Sequence, residues 1–217
     1  MKNYVITIMD NMRSVEVADR CIASGHLWDI EIEKWAATTP RNGLTKLMVQ
    51  EGIKKNGFEE RFSRMPECMS AFMSHYRLWK LSVELNEEIT IFEHDAVICN
   101  NIPELVFMGC ISFGEPSYGK WVHPPLLGKN KLVSKQYFPG AHAYRVNPWG
   151  ATQLIQQAKR YARPTDVFLE NLTFNFLEEY YPWPVSARDS FTTIQNDNGI
   201  QAKHSYIQMG GSGYEII

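Results

Sequence analysis

No apolar run in this 217-residue chain approaches the roughly 20 residues that a bilayer-spanning helix needs, so no transmembrane segment is expected. Met1, Lys2 and Asn3 lead straight into the short run Tyr4 to Met9, which is too brief for the apolar core of a secretory signal. The expected location is cytoplasmic, or peripheral at a membrane. An excess of positive charge is also missing. The 22 Lys and Arg are balanced by 24 Asp and Glu for a net charge of -2, which gives no broad basic field and disfavours nucleic acid as a partner. Cys21, Cys68, Cys99 and Cys110 show no C-x-x-C spacing, which removes a zinc ribbon or a disulfide framework and leaves reduced, mostly buried thiols. There is no G-x-G-x-x-G, no G-x-x-x-x-G-K-S/T and no H-E-x-x-H, so dinucleotide, P-loop and zincin sites lack their defining residues.

What is present is ample core-forming material, 44% hydrophobic residues, in an order that alternates strand-like and helix-like segments. Tyr4 to Met9 reads as a strand, and Val15, Ala18 and Ile22 line one face of a helix ending near Gly25. Ile30 and Ile32 alternate with Glu31 and Glu33, which predicts a second strand. A helix around Leu44, Leu47 and Met48 follows. A stronger one carries Met69, Phe72, Met73, Tyr76, Trp79 and Val83 on one face, with Tyr76 and Trp79 as core. Leu105 to Phe113 is a further apolar run, and Ala141 to Val146 looks extended. Asn147 supplies an N-cap and Pro148 a first helical residue for a helix with Ala151, Leu154, Ile155 and Ala158. Pro164 stops it, and Thr165 caps another predicted helix through Phe168, Leu172 and Phe176. The expectation is an α/β fold with a mainly parallel sheet flanked by helices, as one domain over 1–217. It carries a loop-rich insertion at about 114–139 and a flexible, Gly-rich tail at about 196–217.

The most informative feature is a β-branched run, Ile89 to Phe92, that stops on Glu93, His94 and Asp95. Ile and Thr are stiff at the first side-chain torsion and suit a pleated strand. If the chain stays extended, Glu93 and Asp95 point to the same side. Two carboxylates at a strand end suit a hard divalent cation, which in turn neutralises phosphate. A strand ending in solvated charge is the competing explanation. In a parallel sheet ligands sit beyond the carboxyl ends of the strands, which places Asp10, Glu93 and Asp95 near one edge.

Four segments together resemble glycosyltransferase family 25, the lipooligosaccharide-biosynthesis enzymes related to collagen galactosyltransferases. Tyr4, Val5, Ile6, Thr7 and Ile8, followed by Asp10, Arg13 and Ser14, are similar to that family's opening Y-V-I-N-L strand with its D and R residues. Ser70 to Trp79, with Ser74 and His75, resembles the G-C-x-x-S-H-x-x-x-W helix that leads to an E-D-D triplet, here Glu93, His94, Asp95. Gly140 to Tyr144 resembles G-T-H-A-Y, and Pro164, Thr165, Asp166 resembles P-x-D. The resemblance implies a Rossmann-like GT-A fold and transfer of a hexose, galactose or glucose, from a UDP-type nucleotide sugar to a glycan or lipid-linked saccharide, with inversion.

On this reading Glu93 and Asp95 hold Mn or Mg, with His204 from the tail as a further ligand. Asp166 is the base, with Glu170 as the alternative, and Thr7, Asp10, Arg13, Ser74, His75 and His142 contact the donor. His94 departs from the triplet by replacing its middle acid, which lowers the local negative charge. Each residue also has a structural explanation: Asp166 as an acid complementing a helix start, Arg13 as a solvated arginine, and His75, His94 and His142 as packed histidines. Tyr118, Trp121 and Tyr137 either stack on an acceptor sugar or pin the long loop. A binding module that has lost catalysis and a metal-dependent phosphohydrolase are the alternative functions.

Overall fold

The computed structural model describes residues 1–117, 119–138, 141–188, 191–202 and 215–217. The first half runs β1 (Lys2–Thr7), α1 (Met12–His26), β2 (Glu33–Ala36), α2 (Leu44–Glu51), α3 (Met65–Leu85) and β3 (Ile89–Glu93). The second continues with β4 (Ala96–Ile98), β5 (Cys110–Ser112), β6 (Gly128–Lys131), β7 (Ala143–Val146), α4 (Pro148–Arg160) and α5 (Thr165–Phe168). The order ends with β8 (Leu177–Tyr181), β9 (Val185–Ala187), β10 (Phe191–Thr192), α6 (Asp197–Ala202) and β11 (Glu215–Ile216). A central sheet of seven strands is ordered β2-β1-β3-β7-β5-β8-β6. Within it β2, β1, β3, β5 and β8 run one way, and β7 and β6 run against them. This is the expected mixed α/β architecture of the Rossmann-like GT-A type. No helix among the described residues is long and apolar enough to cross a membrane.

Both faces of the sheet are covered, which is why its inner strands are buried along most of their length rather than on alternate residues. On β1, Tyr4 and Ile6 face one core and Val5 the other; on β3, Ile89 and Ile91 face the first and Phe92 the second. The first core is closed by α3 and α4, the second by α1 with β4 and β9. Phe58, Phe72, Tyr76, Trp79 and Phe168 meet in edge-on and stacked contacts, with ring centroids 5.2 to 6.5 Å apart. Each such pair adds about 0.5–1.5 kcal/mol to the area term. At the start of α4, Asn147 accepts the Gly150 N–H at 2.8 Å and Pro148 is the first helical residue, as the sequence predicts.

Several boundaries differ from the expectation. Ile30 is tied by its N–H to the Gly25 carbonyl, so strand pairing begins only at Glu33, opposite Tyr4. Within the apolar run 105–113 only Cys110–Ser112 pairs as a strand, and Val106 and Met108 are exposed. Val83 lies at the surface although it falls on the predicted apolar face of α3. The predicted helix through Leu172 and Phe176 ends after one turn, because loop 136–138 captures the chain. Phe138 N–H donates to Leu169 O, and Asn171 N–H to Gln136 O. Phe174 and Phe176 then enter the core while Leu172 is exposed. The 114–139 region contributes β6, an edge strand on β8. Most of the Gly-rich tail, 203–214, lies outside the described residues.

The helix-to-sheet contact carries a buried polar chain. Trp79 Nε1–H donates to the Tyr144 hydroxyl at 2.8 Å, and that hydroxyl lies 2.9 Å from His75 Nδ1. Tyr144, Trp79 and His75 are all at most 1% exposed. Tyr144→Phe strands both partners in a dry environment and is expected to cost about 2–4 kcal/mol in urea unfolding. An unchanged midpoint would show that the hydroxyl contributes nothing to stability.

Candidate active site

Beyond the carboxyl ends of β1 and β3 lies a cavity of about 250 Å³. Its walls come from distant parts of the chain: Ile6 and Ile8, the segment 37–40, the first half of α3, the β3–β4 turn, His142, the start of α5, and residues 191–195. Ser74, His75, Glu93, Asp95, His142 and Asp166 all line it. The structure thus brings together six candidate residues spread over ninety positions of sequence.

Glu93 ends β3 and is anchored on two sides. Its N–H donates to His142 O at 3.0 Å, and His75 Nε2 sits 3.2 Å from Oε1. One arrangement of protons satisfies the buried chain: Trp79 donates to Tyr144, Tyr144 to His75 Nδ1, and His75 Nε2–H to Glu93. Burial pushes the Glu93 carboxyl up. The hydrogen bond from His75 and the rings of His75, His142 and His94 outweigh it, so the group is held below its ordinary value and stays ionised. His94 and Asp95 form a turn rather than an extension of the strand, yet both still line the cavity. The His94 ring is fixed by Ser14, whose hydroxyl accepts the Ile8 N–H at 2.9 Å and lies 2.7 Å from His94 Nδ1. Ser14 therefore couples the end of β1, the start of α1 and the acidic turn.

His142 is 1% exposed, and neither ring nitrogen has a hydrogen-bond partner among the described residues. The ring fits because residue 114 is glycine: a Cβ there would lie 2.5 Å from His142 Nε2. Thr165 Oγ1 and Gln195 Oε1, from two other walls, are also buried with no hydrogen-bond partner among the described residues. Buried polar atoms left unpaired are costly, and four of them, from three residues on one cavity, have no partner among the described residues and suit a polar ligand.

Other predicted residues sit elsewhere. Thr7 is fully buried between Ile6 and Ile8, its hydroxyl turned back to Val5 O at 3.0 Å, so its side chain does not reach the cavity. Asp10 is exposed in the turn before α1. Arg13 lies outside the lining, with its guanidinium 4.8 Å from the centre of the Phe191 ring, which does line the cavity. Glu170 is likewise outside, held by Thr173, Gln136 and Arg163. Ser74 spends its hydroxyl on Ser70 O and the Thr38 N–H. Trp121 packs against His123 and Trp183, and Lys135 covers Tyr137. His204 and Tyr118 lie outside the described residues. The wall 191–195, Gly114 and the Thr165 hydroxyl were not singled out as site residues from the sequence. Only Thr165 carried a signal, as the middle residue of Pro164–Asp166.

Among the described residues no group of three or more His, Cys, Asp or Glu side chains is placed to hold a metal ion. Glu93 and Asp95, both on the cavity lining, are oxygen donors of the kind that Mg or Mn takes, and such ions commonly draw their other ligands from substrate phosphate and water.

The family model described as "Glycosyltransferase family 25 (LPS biosynthesis protein)" matches residues 1–112. The matched segment includes α3, Ser14 and the Glu93–Asp95 turn, and stops before His142 and Asp166. No curated protein matches the chain.

A ligand-binding histidine is destabilising while its site is empty. His142→Leu removes two unpaired buried nitrogens and is expected to raise the unfolding free energy of the ligand-free protein by about 1–2 kcal/mol, measured in urea. A loss of stability would mark His142 as structural.

Proposed function

The chain belongs to glycosyltransferase family 25, and on that premise we propose that it moves a hexose, galactose or glucose, from a UDP-type nucleotide sugar to a hydroxyl of a glycan or lipid-linked saccharide, with inversion. The observation that carries this reading is the meeting of Glu93, Asp95 and Asp166 on one cavity that also exposes the unpaired polar atoms of His142, Thr165 and Gln195. Leaving diphosphate and attacking hydroxyl make opposite demands, and the two sets of carboxylates answer them separately.

Glu93 and Asp95 would hold a divalent ion, Mn or Mg, which when bound neutralises charge on the diphosphate. Asp166 acts as base. It takes the proton of the acceptor hydroxyl as that oxygen bonds to the anomeric carbon, while the carbon–oxygen bond to phosphate breaks and the nucleoside diphosphate leaves with the electron pair. A single displacement from the face opposite the leaving group inverts the centre. Asp166 Oδ1 accepts the Val167 N–H at 2.9 Å, which fixes the carboxylate at the start of α5, and Lys135 lies close enough for the two charges to interact. His142 and Thr165 orient the donor through the hydrogen bonds their side chains do not make among the described residues.

Release of nucleoside diphosphate from UDP-galactose and UDP-glucose, with and without Mn, tests the assignment. Asp95→Asn is expected to abolish transfer. Asp166→Asn is expected to lower kcat by about 10²–10⁴ while donor affinity is kept. Wild-type rates in either variant would remove that residue from the mechanism, and nucleotide binding without any turnover would favour a non-catalytic module.

A further inference from the structure

In a chain of net charge -2, residues 116–165 contain eight Lys and Arg and no Asp or Glu. Part of this basic stretch surrounds β6, one of the two edge strands of the central sheet, and there it coincides with exposed apolar side chains. Leu126 is 65% exposed, Leu127 79% and Val122 59%. Val106, 87% exposed, is brought alongside by its carbonyl, which accepts from Lys129 Nζ at 2.8 Å.

The two leucines are displayed by a built turn. Asn130 Oδ1 accepts the Leu126 N–H at 3.2 Å, its Nδ2 donates to Leu126 O and Gly128 O, and Gly128 adopts a φ of +87°. Because Asn130 is buried, Lys129 and Lys131 share the opposite, outward side of β6. Lys120 is exposed as well. Of the two acids on the adjoining β8, Glu178 offsets the charge of Lys129 at 3.5 Å, and Glu179 is turned to backbone N–H groups. Both are buried; Glu178 accepts the Met108 N–H, and Glu179 accepts the N–H groups of Val133 and Ser134. At the Gly128–Tyr181 end of the ladder, Trp121, His123, Tyr181 and Trp183 form an aromatic cluster with centroids 4.8 to 5.9 Å apart.

We propose that this edge docks on an anionic lipid bilayer, with Leu126 and Leu127 entering the acyl boundary, the aromatic cluster at headgroup depth, and Lys120 and Lys131 on lipid phosphates. Apolar tips, amphipathic aromatic rings and lysines at one surface match the layered chemistry of a membrane interface. A second copy of the chain added to the strand edge fits less well, because β6 is short and carries two lysines, features that oppose edge pairing. The inference is independent of the transfer reaction, since it concerns a surface and not the cavity.

Co-sedimentation of the full chain with vesicles of phosphatidylcholine alone, and of phosphatidylcholine mixed with phosphatidylglycerol, tests it. The chain is expected to bind the anionic vesicles selectively, and less as salt rises. Leu126→Glu with Leu127→Glu should lower binding by roughly tenfold or more per leucine. Lys120→Gln with Lys131→Gln should lower it by roughly fivefold per lysine, with thermal unfolding unchanged in both double variants. Val49→Glu, at an exposed apolar position on α2, should bind as wild type does. Equal binding to both vesicle types, no binding, or wild-type binding by the leucine variant would overturn the proposal. So would self-association that the leucine variant abolishes in the absence of vesicle binding.

Discussion

Glu93 is held in place by a hydrogen-bonded chain that begins in the core, and much of the site depends on that chain. Trp79 and His75 stand one helical turn apart on α3, Tyr144 rises from β7 between them, and Glu93 closes the series at the end of β3. All of the links except the last are dry, so each group has its partner in the protein or none. The register of α3 against the sheet is thereby fixed by polar geometry as well as by the aromatic packing around Phe72. The same chain that locks helix to sheet sets the direction of the carboxylate and keeps it ionised despite burial. Fold and chemistry share these residues, and a change in one is felt in the other.

Around this anchored acid the cavity is left incomplete. His142, Thr165 and Gln195 carry buried polar atoms that have no hydrogen-bond partner among the described residues, which is costly in a packed interior. Gly114 provides the space the His142 ring occupies, and Ser14 fixes His94. Rigid groups whose own needs are met border groups whose needs are not, an arrangement suited to a ligand that supplies the missing bonds. The match to glycosyltransferase family 25 covers residues 1–112, which hold Ser14, His75 and Glu93, and His142, Thr165 and Gln195 lie in the chain beyond it.

The features legible in the sequence are those set by neighbours along the chain. The β-branched run ending on Glu93, the aromatic face of α3 and the Asn147–Pro148 start of α4 are local patterns with local causes. Features set across the chain were hidden. The 165–176 segment has helical spacing at Phe168, Leu172 and Phe176, yet loop 136–138 offers its backbone other partners and unwinds it after one turn. Thr7 sits in the right strand but on the wrong side of it, and Glu170 lies two residues beyond a helix that has already ended. The wall at 191–195 is brought in by contacts such as Arg64 N–H to Ile194 O, which span more than a hundred residues and leave no spacing to read.

The most direct test of the central claim, that this cavity takes a nucleotide sugar through the Glu93–Asp95 turn, is thermal unfolding of the wild-type chain against UDP, UDP-galactose and UDP-glucose, each with and without Mn. A ligand that binds only the folded state stabilises it by about 2.7 kcal/mol at a concentration of 100 Kd. The account predicts a rise in Tm with one UDP-sugar that grows when Mn is present. No rise with any of the three, with or without the metal, would contradict it.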